Sequence, residues 1–107
     1  MNSHPHHENL SRFSAHLEKL FSQVSDYEGQ HSLPQELADE IASTAGEIMV
    51  ELADHRGDEL VLGAIEDARR LRVVVRTICP ESTIAAAAGR TLALDLALVI
   101  REDKRAA

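Results

Sequence analysis

TLALDLALVI, residues Thr91 to Ile100, is the stretch on which the fold turns. Leu92, Leu94, Leu96, Leu98 and Ile100 alternate with their neighbours at period two, the pattern of a half-buried strand. A strand needs an edge to pair with, and the other candidate is Leu71 to Ile78, where Val73, Val74 and Val75 set three β-branched residues side by side. The surroundings argue for helix instead. Ala85 to Ala88 lead into the stretch with the strongest helix former, and Pro80 sits where a first turn can use it. Arg101, Lys104 and Arg105 follow where cations favour a helix C-terminus. The sequence therefore predicts helix over 83–100, and helix rather than strand over 71–78.

Such a helix has an unusual cross-section. Its polar strip is narrow, Thr91 and Asp95 with Arg90 beside them, while leucines, Val99 and Ile100 spread around the rest. Three short partner helices cover two of its faces, which leaves a third to be covered by another protein surface, the alternative being a central helix enclosed within its own monomer. The residues expected at that contact are Leu92, Leu94, Leu96, Leu98, Val99 and Ile100. Val73 and Val74, outside the main stripe of the preceding helix, are second candidates.

Three further helices are legible upstream. Leu10, Phe13, Leu17, Leu20, Phe21 and Val24 recur at three- and four-residue spacing, and Ser25 to His31, with Asp26 and Gly29, supplies the turn. Ser32, Pro34 and Gln35 read as a capping box with proline in the first turn. A second stripe of Leu37, Ile41, Ala45, Ile48 and Leu52 follows, its outer side acidic through Glu36, Asp39, Glu40, Glu47 and Glu51. Gly46 is expected where another helix comes close, because glycine inside a helix costs up to about 1 kcal/mol. His55 to Gly57 stop this helix, and Asp58 caps a third with the stripe Val61, Ala64, Ile65, Ala68, Leu71, Val75 and Ile78. The expectation is an all-α fold: a bundle of about four helices over residues 9–107, homodimeric, after a flexible His-rich tail at residues 1–8.

Composition narrows the function. The chain has 107 residues, enough for one domain with its own core. Phe13, Phe21 and Tyr27 are its three aromatic side chains, so the core is aliphatic. A net charge of −7 opposes attraction to nucleic acid or anionic lipid. Cys79 is the single cysteine, which rules out an intramolecular disulfide and reads as an intracellular, cytoplasmic protein. The apolar run Ile84 to Ile100, broken by Arg90 and Asp95, falls short of a membrane span.

Catalysis and cofactors find little support. His4, His6 and His7 belong to the tail, and His16, His31 and His55 are scattered, without the spacing of a zinc site. An N-terminal amine with Asn2, Ser3 and His4 would suit square-planar Cu(II) or Ni(II) only after loss of Met1, which a bulky Asn2 disfavours. Cys79, next to Pro80, reads as a small buried thiol rather than a nucleophile. Gly29, Gly46, Gly57, Gly63 and Gly89 stand apart from one another, so no phosphate-cradling loop is formed. The expected protein is not an enzyme, and no cofactor or metal is called for. Arg69, Arg70, Arg72 and Arg76 concentrate positive charge, with Arg69, Arg72 and Arg76 on one face. That face could grip phosphates or an acidic protein patch, but Glu66 and Asp67 neutralise part of it through Arg70, and a solvated, salt-bridged face is the default reading.

In length, acidity and layout, from its opening MNSHPHHENLSRF to the greasy TLALDLALVI helix, the chain resembles the small QslA-like, LasR-specific quorum-sensing antiactivators. The resemblance implies an all-helical dimer that binds the ligand-binding domain of a LuxR-type transcriptional activator, occupies its dimerisation surface and keeps it from DNA. No local motif carries partner-contact residues across. Two other classes are compatible with the sequence: a helix-turn-helix regulator using the arginine face, for which Glu59 to Leu62 are poor readers of base edges, and a structural adaptor.

Overall fold

The computed structural model describes residues 6–27, 32–55, 57–77 and 81–106. Four α-helices follow one another: α1 (His6–Val24), α2 (Gln35–Leu52), α3 (Glu59–Val75) and α4 (Ser82–Ala106). Single 3-10 turns at Ser25–Tyr27 and Ala53–His55 extend α1 and α2. No strand occurs among the described residues: 91–100 is helical throughout, whereas of 71–78, expected to be helix to its end, only 71–75 is helical, and Arg76 and Thr77 already leave the helix. The all-α bundle is thus what the sequence predicts.

Each helix packs against its neighbours in the order α1, α2, α3, α4 and back to α1, in a rod of about 48 × 21 × 19 Å. Successive helices run in opposite directions. Asn9 donates to Glu51 and His16 meets Glu40 across α1 and α2, while Gly63 near the start of α3 lies beside Asp95 at the middle of α4. The core is aliphatic, with Leu10, Ile41, Ile48, Leu52, Leu71, Leu92 and Leu96 fully enclosed. Phe13 and Phe21 are half-buried at its margin. All stripe positions of α2 are buried, as are those of α3 through Val75. Ile78, Cys79 and Pro80 lie outside the described residues, as do the side chains of His4, His6, His7 and His31.

Four local expectations need correction. Helix α1 starts at His6, inside the stretch expected to be tail. The capping box does not form. Pro34 takes the N-cap position with φ −57° and ψ 143°, and α2 starts at Gln35. This leaves Ser32 outside the turn, and the Gln35 side chain instead donates to Asp39 at 2.9 Å. The close helix approach lies at Gly89, not Gly46. A Cβ at Gly46 would sit 3.7 Å from Arg72 Nε, an ordinary contact, whereas one at Gly89 would run into the Phe21 ring at Cζ. The Phe21 ring is therefore seated directly on the α4 backbone. Lastly, Glu66 pairs with Arg69 rather than Arg70, leaving Arg70 to Asp67 at 3.8 Å. The Asp58 cap forms as expected, its Oδ1 accepting from Leu60 N at 2.9 Å.

Candidate functional site: the outer face of α4

An α-helix advances 100° per residue, so leucines spaced by two fall on nearly opposite sides. That is the outcome in α4. Leu92 and Leu96 are fully buried, Val99 is 5 % exposed, and with Ala85 they form α4's share of the core. Leu94 and Leu98 point away from it, 70 % and 38 % exposed. Leu92, Leu96 and Val99, expected at a partner contact, are thereby corrected to core residues: α1 and α3 already cover them. Ile100 is half-buried against the same core.

What remains outward is an ordered strip. Ile84, Ala87, Thr91, Leu94 and Leu98 are all exposed and follow one another at spacings of three, four, three and four. This is the repeat with which one helix seats against another by knobs-into-holes packing. At about 1.5 Å per residue the strip runs roughly 21 Å along the helix. Ile84 is 53 % exposed. Arg90 and Arg101 border it, and Glu81 precedes its N-terminal end, all exposed. The backbone there is well anchored, Ala85 N donating to Glu81 O at 3.0 Å.

The other expected contacts are spread out. Val73 is exposed beside Glu66 and Arg69 on the outward side of α3, while Val74 turns inward against the core. Arg69 is engaged by Glu66, Arg72 lies over Gly46 of α2, and Arg76 closes α3, its backbone N–H donating to Arg72 O and Val73 O. All three residues are exposed.

Two features escape a reading of the sequence. Between α1 and α4 runs a cleft of about 410 Å³ walled by Leu17, Phe21, Val24, Ala86 and Gly89, with Glu18 and Arg90 at its rim. The other is an acidic pair in the seam between α3 and α4. Asp67 is only 8 % exposed. Burial first, then hydrogen bonding and negative charge from Asp95, push its carboxyl up from 3.8 to about 6, against the weaker pull of Arg70 and with a further push from Glu66. A signal was present: Asp67 falls three residues after Ala64 and four before Leu71, inside the core stripe.

By length and composition alone, α4 is long and apolar enough over Ser82–Arg105 to cross a membrane. The apolar run expected to fall short is long enough by this measure because the helix begins at Ser82, ahead of Ile84, while the residues after Ile100 are charged; the core helix of a soluble protein passes the same test. Comparison with protein-family models, with characterised proteins and with solved structures yields no match.

Proposed function

We propose that the protein is a non-catalytic, cytoplasmic regulator that works by presenting the outer face of α4 to another protein surface. The observation that carries this reading is the exposed strip Ile84, Ala87, Thr91, Leu94 and Leu98, at helix-pairing spacing, on a helix whose opposite face is already buried. Burying a large aliphatic side chain contributes on the order of 1.5 to 3 kcal/mol, so this strip supplies a useful fraction of an interface before the cost of association is met.

A second copy of the chain is one partner. The strip is nearly symmetric about Thr91, with Ile84 seven residues before it and Leu98 seven after. An antiparallel copy would set Ile84 against Leu98, small Ala87 near large Leu94, and Glu81 near Arg101. The resemblance to QslA-like antiactivators supports the ligand-binding domain of a LuxR-type activator as the regulated partner, with the apolar strip standing in for the activator's missing protomer. In this reading inhibition is stoichiometric and involves no turnover, cofactor or metal. DNA is not a direct ligand, because the net charge is negative and Arg69 is already paired. A structural adaptor would use the same face and differs only in what binds it.

Light scattering on the purified chain, together with capture of a LuxR-type ligand-binding domain, tests the proposal. Leu94→Asp combined with Leu98→Asp is expected to abolish association with both partners while helicity is retained. A doubly substituted chain that still binds and inhibits like the parent removes this face from the function. Co-flotation of the chain with lipid vesicles would instead favour a membrane role for α4.

A further inference from the structure

Where α3 lies against α4, Asp67 is more than nine-tenths buried and its Oδ2 meets no hydrogen-bond partner. The group across the seam is a second carboxyl rather than a base. Asp95 is half-buried there, with Oδ2 3.7 Å from the point a Cβ on Gly63 would take, one turn before Asp67. Neutralisation is slight. Arg70 reaches Asp67 Oδ1 only at 3.8 Å, from a side chain 67 % exposed, and Glu66 adds charge of the wrong sign. From α4 the remaining neighbours in this groove are Ile84, Ala87, Ala88 and Thr91, none of them charged. On the α2 side of α3, Arg72 lies over Gly46.

Two ionised carboxylates in this seam would repel one another and leave a buried oxygen unsatisfied, both of which are costly away from water. One proton resolves both faults, since the acid O–H of one carboxyl then donates to the carboxylate of the other. We infer that Asp67 and Asp95 form a proton-operated clamp between α3 and α4, drawing the helices together while they share one proton and loosening the seam when that proton leaves. The clamp requires no partner protein and stands whether or not the α4 face binds one.

The direction of the pH effect follows from linkage. A carboxyl held at about 6 in the folded chain and near 3.8 in the unfolded chain favours folding when protonated. Its stabilisation is complete below the unfolded value and is lost as pH rises through about 6. The unfolding equilibrium constant should rise through this pair by on the order of tenfold to a hundredfold.

The test uses the full chain in two measurements, carboxyl carbon NMR titration and denaturant unfolding at about pH 5 and about pH 8. In the parent, Asp67 should titrate far above the ordinary aspartate range, and the unfolding constant should rise at least about tenfold between the two conditions. D67N should lose most of that rise, because the introduced side-chain amide donates to Asp95 at either pH; D95N should lose it likewise. An Asp67 that titrates near 3.8 overturns the clamp, and this readout needs no variant to fold. Retention of the parental pH dependence in both variants also overturns it. So does a stability gain from millimolar calcium or magnesium that D67N lacks, which would make the pair a cation ligand.

Discussion

Helices α2 and α4 lie across the bundle from each other and treat their outer sides in opposite ways. The outward positions of α2 are Glu36, Asp39, Ser43 and Glu47, all exposed, with Glu40 beside them reaching His16 at 3.3 Å. The outward positions of α4 include Ile84, Ala87, Leu94 and Leu98. Both helices bury a full aliphatic stripe, so packing of the bundle does not explain the difference. Carboxylates on α2 keep a permanently wet surface in water. Leucines on α4 leave a surface whose apolar area is stabilised only when something covers it.

The contrast can be broken most forcefully inside α4 itself. Leu96→Asp buries a charge in the core and should cost more than about 4 kcal/mol, enough to unfold a chain of this size, whereas Leu94→Asp should leave the melting temperature within a few degrees of the parent. Thermal melts followed by circular dichroism check this, and equal damage from the two changes would erase the distinction between the faces. Gly89→Ala is next in size. Its Cβ would enter the Phe21 ring, so α1 or the ring must shift, at a cost of about 1 to 3 kcal/mol in denaturant unfolding. Phe21→Leu should recover part of the loss, which a double-mutant cycle would measure. The smallest effect sharpens the comparison from the other side. Val50, 77 % exposed, is the large apolar residue on the wet helix. Val50→Glu should change stability by less than about 0.5 kcal/mol and leave association in light scattering untouched, since an isolated exposed valine is no interface.

Helix identity, the aliphatic stripes of α1 to α3 and the Asp58 cap are legible from spacing alone, because each depends on residues within one or two turns. The division of α4 into two faces is harder. Its period-two leucines look uniform in the sequence, and only the positions of α1 and α3 decide that Leu92 and Leu96 go in while Leu94 and Leu98 stay out. Asp67 and Asp95 escape notice for a related reason. Each has plausible surface neighbours along its own helix, and their meeting depends on the register between α3 and α4. Gly89 gives no local sign either, since what makes it necessary is an aromatic ring 68 residues away in the sequence. Ser32 fails in the opposite direction: the capping pattern is present, but Pro34 opens the helix later.

The cyclic order of the helices has one further bearing. Since α4 touches α1 and α3 along its length while α2 sits on the far side, a partner that tugs on α4 delivers its load to those two flanks and leaves the acidic wall of α2 as ballast. On the function proposed above, the α4 side is the working side, and labels or tethers fixed to α2 can report on it without obstructing it.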